Sequence, residues 1–279
     1  MYGPSDFDIR GHLQIRFPEF FQLLGKNSIP WHKVNRAYAK QAAVHRARLE
    51  RTGKTFTIGA SFYQIITLTA QGDPEAARNH DYIRLMFMEL HESLSEFERK
   101  EIKDALYGML THVNMDFRNY LGELSVLNLL KRSDYTLLKT ERPLIPSEPK
   151  GVKIDFHVRQ KGKKEYLIEV VNFRLDEDNT KSNDAIEALL QDKIVGKLLA
   201  TGILRSKGFY LYPVVWGNWE HILRLLGYYQ TVKPSFPNTI VPLALVPFTT
   251  DDGELVHRFG TIDTLFAHPG GIKFSSSGK

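Results

Sequence analysis

The chain contains no cysteine among its 279 residues. Disulfide bonds, zinc–cysteine sites, iron–sulfur clusters and thiol catalysis are therefore excluded. The sequence also lacks an apolar run of about 18 residues, and its first residues lack a basic segment followed by an apolar one. Neither a membrane span nor a secretory signal is therefore predicted. The expected location is the cytoplasm, and no membrane partner is expected.

A strong charge of one sign is also missing. The sequence has 37 Lys and Arg residues against 32 Asp and Glu residues, a formal net charge of +5. This mild basicity permits a polyanionic partner without requiring one. A composition of 42% hydrophobic and 25% charged residues is that of a globular protein. The length fits one large domain or two small ones.

Three familiar catalytic signatures are incomplete in this sequence. The string TGKT resembles the end of a phosphate-binding loop, but Arg48 occupies the place of the first glycine. The string HESLS lacks the second histidine of a zinc-protease helix, because Ser95 stands there. The string GASFY lacks the last glycine of the serine-hydrolase turn, because Tyr63 replaces it. Nucleotide hydrolysis, zinc proteolysis and serine esterase chemistry therefore lose their sequence support.

The pattern of apolar residues changes along the chain. Residues 1–114 predict a mostly helical region, in which Ser or Asp caps precede helical periodicity. From residue 115 the predicted order is α-β-β-β-α-β, which indicates an α/β domain with a mixed sheet over 115–268. Residues 269–279 are predicted to form a flexible tail. The predicted helices are 31–51, 62–70, 75–94, 95–111, 116–132, 183–201 and 219–227, and the predicted strands are 135–139, 152–159, 165–173, 209–216 and 240–248.

Two neighbouring predicted strands each carry a carboxylate. Asp155 lies in VKIDFHVR and Glu169 in EYLIEVVNF, on either side of the loop QKGKK. If the hairpin turns near Gly162, the two carboxylates lie across from each other on one face. Carboxylates in apolar strands are costly to bury unless they are paired or bind a cation, and Mg²⁺ prefers oxygen ligands. The pair therefore predicts a Mg²⁺ site, at which Mn²⁺ can substitute.

Together with Glu123 in the preceding helix string GELSVLNLL, these strands resemble the PD-(D/E)XK nuclease superfamily over about residues 115–250. The resemblance implies a restriction-endonuclease-like α-β-β-β-α-β core. It implies that Asp155, Glu169 and the carbonyl of Val170 bind Mg²⁺. It also implies that Glu123 holds a second ion or an outer water. The implied activity is metal-dependent endonuclease hydrolysis of phosphodiester bonds, with DNA rather than RNA as the substrate.

The chain departs from the family pattern at the motif lysine, where Val171 stands. Some members supply this lysine from the following helix, and Lys193 borders the apolar face of that predicted helix. Lys193 is therefore the candidate that orients water or steadies the developing charge. The alternative is a nuclease fold that binds nucleic acid, or acts as an assembly module, without cleavage. A third interpretation is a helical interaction domain joined to an unrelated α/β domain.

Two groups of basic residues favour nucleic acid as the partner. The first lies on the predicted helix 31–51, where Lys33, Arg36 and Lys40 share a face. The second surrounds the predicted hairpin. A homodimer is the base-rate expectation for assembly, since dimers are the commonest oligomers. The residues assigned to nucleic-acid binding are Lys33, Arg36, Lys40, Arg46, Lys161, Lys163 and Lys164.

Overall fold

The chain forms two compact units, which meet in sequence between residues 133 and 134. The computed structural model describes residues 7–53, 61–113, 116–143, 147, 150–160, 164–195, 209–217, 219–232, 243–249 and 255–261. Helices make up the described part of the first unit, and strands with helices make up that of the second. The predicted α/β class, with a helical N-terminal region, is confirmed.

Eight helices of the first unit are described, and several begin where the sequence predicts a cap. Ser61, Asp73 and Ser95 each accept a hydrogen bond from a backbone N–H of the first turn. The predicted helix 95–111 is interrupted at Ile102, where one short helix ends and the next begins. The helices are α1 (Ile9–Arg16), α2 (Pro18–Leu24), α3 (Trp31–Thr52), α4 (Phe62–Ala70), α5 (Pro74–Ser93), α6 (Glu96–Glu101), α7 (Lys103–Thr111) and α8 (Phe117–Arg132).

Aromatic rings fill the core of the first unit. Phe17, Phe62 and Phe87 are fully buried. Phe17 meets the other two rings edge to face, at centroid distances of 5.3 Å and 5.5 Å. This is a preferred geometry of aromatic pairs. The rings come from α4, α5 and the link between α1 and α2, so their packing joins four helices.

The helix α8 belongs to the first unit by its contacts. It packs against α5 and α7. At Gly108 of α7, a Cβ would come within 2.5 Å of the Tyr120 ring, so only glycine allows this close approach. The sequence instead groups α8 with the sheet, because strands follow it directly. The boundary between the two units therefore lies after α8, between residues 133 and 134, whereas the sequence predicts it before α8, between residues 114 and 115.

A mixed sheet organises the second unit. Its strands are β1 (Tyr135–Pro143), β2 (Lys153–Gln160), β3 (Glu165–Arg174), β4 (Phe209–Trp216), β5 (Leu243–Thr249) and β6 (Leu255–Thr261). Strands β1 to β3 form an antiparallel meander, and β4 lies parallel to β3. Strand β5 continues the sheet parallel to β4, and β6 pairs antiparallel with β5. The chain order and the spatial order of the strands are the same.

The predicted hairpin between β2 and β3 is confirmed. Arg159 lies opposite Glu165, and the N–H of Gln160 donates to the carbonyl of Lys164. Strand β1 is longer than predicted and includes Pro143. Because β1 lies at the edge of the sheet, a proline at its end removes no essential ladder bond.

Three helices of the second unit are described. They are α9 (Glu177–Thr180), α10 (Asn183–Leu190) and α11 (Trp219–Val232), and α10 continues into a π-helical turn (Gln191–Val195). The predicted helix 183–201 is observed as far as residue 195, and its last residues lie outside the described part. Among the described residues, no helix has the length and apolar character needed to cross a membrane. The core of the unit combines Ile154, Val171, Phe173, Ile186, Leu190, Ile194, Phe209, Leu211, Val215, Ile222 and Leu225.

Candidate functional site

The side chains of Asp155 and Glu169 meet between β2 and β3. The Oδ2 atom of Asp155 accepts a hydrogen bond of 2.7 Å from the N–H of Val170. The Oε2 atom of Glu169 lies 3.4 Å from the backbone nitrogen of Asp155, which donates to it. In the strand register His157 lies opposite Leu167 and Phe156 opposite Ile168, so the next position along places Asp155 opposite Glu169. Cross-strand neighbours share a face, so both carboxylates project from the same side of the sheet.

The two carboxylates occupy the point where β2 and β3 stop pairing through their backbones. The ladder runs from Arg159 and Glu165 to Phe156 and Ile168 and ends there. Beyond it, a carboxylate rather than a carbonyl of β2 accepts the N–H of Val170. The N–H and C=O of one strand residue point to the same side. The carbonyl of Val170 is therefore directed towards the same gap.

The burial of Glu169 is unusual for a carboxylate. Its exposed fraction is 2%, whereas Asp155 is half-buried. Removing an ionised carboxylate from water is costly unless hydrogen bonds or a cation compensate. The neighbouring strand adds backbone strain, since Glu141 of β1 has φ of +48° although it is not glycine. Strained residues of this kind cluster at functional sites.

A row of polar side chains shares the face of this pair. The guanidinium of Arg142 lies 2.8 Å from Nδ1 of His157, and Nε2 of His157 lies 2.7 Å from Glu165. Arg159 donates to the other oxygen of Glu165 at 2.5 Å. The guanidinium nitrogen of Arg142 that contacts Nδ1 also lies 3.0 Å from Nε2 of His157, so Arg142 reaches both ring nitrogens. The alternation of Asp155, His157 and Arg159 along β2 is the signal in the sequence that could have predicted this row.

Acid should weaken this row. Hydrogen bonds from Arg159 and then His157 lower the pKa of Glu165 below its usual 4.5. A carboxyl with a lowered folded-state pKa contributes stability above its unfolded-state value and loses it as pH falls. Glu165→Gln should therefore lower the urea midpoint at about pH 6, and the difference from wild type should shrink towards about pH 3. A difference that stays constant over this range would contradict the assignment.

The other residues predicted for catalysis lie on other elements of the chain. Glu123 is half-buried on α8 in the first unit, whereas Asp155 and Glu169 belong to the second. Val171 is 3% exposed and packs in the apolar core of the second unit. Lys193 lies in the π-helical turn, where its side chain is 46% exposed and its Nζ lies 3.4 Å from Asp192.

The basic residues on α3 lie at the surface. Lys33, Arg36, Lys40 and Arg46 are all exposed. From residue 43 to Gly53, α3 is exposed at nearly every position, and it ends at Gly53 in the left-handed conformation. Around the hairpin, Lys164 is exposed, and Lys161 and Lys163 lie outside the described residues.

A divalent cation fits the donor set between β2 and β3. Mg²⁺ binds oxygen ligands, keeps several waters and needs only one or two protein carboxylates. Among the described residues, there is no cluster of three or more His, Cys, Asp and Glu side chains that could hold a metal ion. A cation at this site would therefore be held by Asp155, Glu169, the carbonyl of Val170 and water.

Comparisons with protein-family models, with curated proteins and with solved structures found no match. The described strands β1–β4 form a four-stranded mixed sheet in which β3 and β4 are parallel. The similarity to PD-(D/E)XK nucleases therefore remains a resemblance in motif residues and strand order, without a family assignment.

Proposed function

We propose that this chain is a divalent-metal-dependent nuclease that hydrolyses phosphodiester bonds of DNA. The observation that carries the proposal is the buried Glu169 carboxylate beside Asp155, on adjacent strands whose backbone pairing ends at that point. Two carboxylates on adjacent strands, one of them buried, provide the oxygen ligands that Mg²⁺ prefers, so a metal role accounts for their position. The order of α8, β1, β2, β3, α10 and β4 also supports the proposal.

Each residue has a separate task in this mechanism. Asp155 and Glu169 supply negative oxygen ligands, and the carbonyl of Val170 supplies a neutral one. When bound, Mg²⁺ neutralises the scissile phosphate and lowers the pKa of a coordinated water. The N–H of Val170 holds the Asp155 carboxylate in place through its 2.7 Å hydrogen bond.

Lys193 takes the role of the absent motif lysine in this proposal. Its side chain is half-exposed. The next residue in the sequence, Ile194, is buried and packs the π-helical turn against the core. Lys193→Met should lower the Mg²⁺-dependent cleavage rate by about 10² to 10³-fold, as the loss of one charge-stabilising donor does. Lys181→Met, which changes an exposed lysine near the start of α10, should leave the rate unchanged. Equal rates for both variants would remove Lys193 from the mechanism.

A non-cleaving nucleic-acid-binding or assembly module is the second candidate, and Val171 favours it. Val171 stands where the motif lysine belongs, and it is enclosed by the apolar core. An apolar side chain there can neither bind nor polarise a water. In this case the chain would bind DNA, or act in an assembly, with the carboxylates serving a structural cation.

Cleavage assays separate the two candidates. Purified full-length protein is incubated with plasmid, linear duplex, single-stranded DNA and RNA, each with Mg²⁺, Mn²⁺ or EDTA. The nuclease proposal expects products from DNA with either cation and none with EDTA. No cleavage of any substrate under any condition, by a folded protein, would overturn it. DNA binding without cleavage would then support the second candidate.

The basic face of α3 should contribute to DNA binding. Lys33, Arg36 and Lys40 recur at helical spacing and are exposed, as residues that contact phosphates must be. The triple change of these residues to Gln should weaken binding and reduce the slope of log affinity against log salt by about 3. The control changes Arg10, Lys26 and Lys100 of the same unit to Gln. An equal reduction of this slope in the control would show that net charge, rather than the basic face of α3, governs DNA binding.

A further inference from the structure

Polar side chains lead away from the carboxylate pair along β2 in regular steps. Asp155, His157 and Arg159 alternate along this strand, and the residues between them are buried, so the three side chains share its more open face. A strand rises about 3.3 Å per residue, so each step from one of these side chains to the next is about 6.6 Å. Successive phosphates along a nucleic-acid strand have a similar spacing. The two steps therefore match the next two phosphates beyond one that lies at the carboxylate pair.

Arg142 provides a positive charge at the first step. One nitrogen of its guanidinium, Nη1, lies 2.8 Å and 3.0 Å from the two ring nitrogens of His157. In the part of the chain that the structure describes, no carboxylate pairs with Arg142, although the residue is half-buried. A cation that is partly removed from water is stabilised by an anion. Arginine has five N–H donors, so Nε and Nη2 can donate to a phosphate while Nη1 keeps its contact with His157.

Arg159 provides the positive charge at the second step. Its side chain is 51% exposed, and its Nη2 donates to Oε1 of Glu165 at 2.5 Å. The other oxygen of Glu165 lies 2.7 Å from His157, so one carboxylate holds both side chains in place. Among the described contacts of Arg159, only Nη2 is used, which leaves Nε and Nη1 for a phosphate. Lys139 lies opposite His157 on β1 and is exposed, so it adds positive charge beside these steps.

We propose that Arg142 and Arg159 bind two successive phosphates of a DNA strand whose preceding phosphate lies at the Asp155–Glu169 pair. The guanidinium group suits this task, because its planar set of N–H groups can bind two phosphate oxygens at once. Free phosphate or a single nucleotide would occupy only one step, so these arginines favour a strand. The position of the first phosphate rests on the proposed nuclease function. Binding of the strand by the two arginines does not require cleavage.

DNA binding in EDTA tests the two arginines without cleavage. The double variant Arg142→Gln with Arg159→Gln should bind a short single-stranded thymidine oligonucleotide about tenfold more weakly than wild type. The slope of log affinity against log salt should fall by about 1.4, since each phosphate contact on a single strand contributes about 0.7. Fluorescence anisotropy measures both quantities, and circular dichroism establishes that the variant is folded.

A matched control removes the same charge elsewhere in the second unit. Lys181→Gln with Arg224→Gln changes an exposed lysine and an arginine that pairs with Glu177 and Glu220, and it should bind DNA like wild type. An equal loss of affinity in both double variants would overturn the proposal. Absence of DNA binding by wild type, or wild-type affinity and slope in the Arg142 and Arg159 variant, would also overturn it.

Cleavage of DNA with one uncharged methylphosphonate linkage assigns each arginine to a phosphate. Wild type should cut about tenfold more slowly at the first and second linkages on one side of the uncharged one, because these cuts place it against Arg142 and Arg159. The uncharged linkage should no longer slow the nearer cut in Arg142→Gln, or the farther cut in Arg159→Gln. An unchanged pattern in both variants would overturn the proposal. A wild type that binds DNA through these arginines but cuts no DNA would overturn the nuclease function and support the arginines as phosphate ligands.

Discussion

Replacing either strand carboxylate by its amide is expected to lower Mg²⁺-dependent DNA cleavage by about 10² to 10⁴-fold. Asp155→Asn and Glu169→Gln keep the size of each side chain and an oxygen that can accept its backbone N–H. What they remove is the negative charge that binds a cation. A metal ion stabilises transition-state charge by several kcal/mol, and each 1.36 kcal/mol is tenfold in rate. The measurement is the initial rate on a linear duplex over a range of Mg²⁺ concentrations.

Two controls accompany this measurement: a check that each variant is folded, and the same substitution at an exposed glutamate. The Tm and the circular dichroism spectrum of each metal-free variant establish that it is folded. Glu187→Gln makes the same change at an exposed position on α10 and should leave the rate at the wild-type value. Full activity in folded Asp155→Asn and Glu169→Gln would exclude the pair from catalysis.

Loss of the Glu98 side chain is expected to destabilise the first unit by about 3–5 kcal/mol. Glu98 is 3% exposed, and its Oε1 lies 2.6 Å from Nζ of Lys131, which is itself largely buried. Its Oε2 accepts the N–H of Ser95 at 2.8 Å and completes the capping box of α6. Glu98→Ala therefore leaves a buried ammonium without its carboxylate and also removes a helix cap. Urea unfolding followed by helical circular dichroism measures the change.

Two further variants test the cause of that loss. Glu96 lies in the same helix as Glu98 and forms an exposed ion pair with Lys26, which lies outside that helix. Glu96→Ala removes this ion pair and should change the free energy of unfolding by about 0–1 kcal/mol. The double variant Glu98→Ala with Lys131→Met should recover part of the lost stability, because no charge is then left buried. Equal stability of Glu98→Ala and Glu96→Ala would contradict the assigned role of this ion pair.

The sheet that carries the carboxylate pair could be predicted from local patterns. Strands β2 and β3 follow alternating apolar residues on both sides of a glycine turn, and the observed register agrees. The positions of Asp155 and Glu169 follow directly, because antiparallel register places them opposite each other. The caps at Asp73 and Ser95 were similarly visible, since capping depends on residues only three positions apart.

Features that depend on distant contacts or on departures from ideal helices were not predictable. The π-helical turn that contains Lys193 begins at Gln191, and the apolar spacing does not indicate it, because a helical wheel assumes an ideal α-helix. A π turn adds a residue to the hydrogen-bonded ring, so the α-helical spacing no longer holds. In the first unit, Tyr38 of α3 and Gln64 of α4 line one cavity, and no spacing in the sequence brings these two helices together.

The most direct test of the proposed metal centre is a crystal structure of the full chain with Mn²⁺, using anomalous scattering to locate the ion. We expect a peak within about 2.0–2.6 Å of carboxylate oxygens of both Asp155 and Glu169. The carbonyl of Val170 should complete the protein ligands, and the peak should be lost in Glu169→Gln. A well-ordered site without a peak between these carboxylates at saturating Mn²⁺, or an ion bound only elsewhere, would contradict the account.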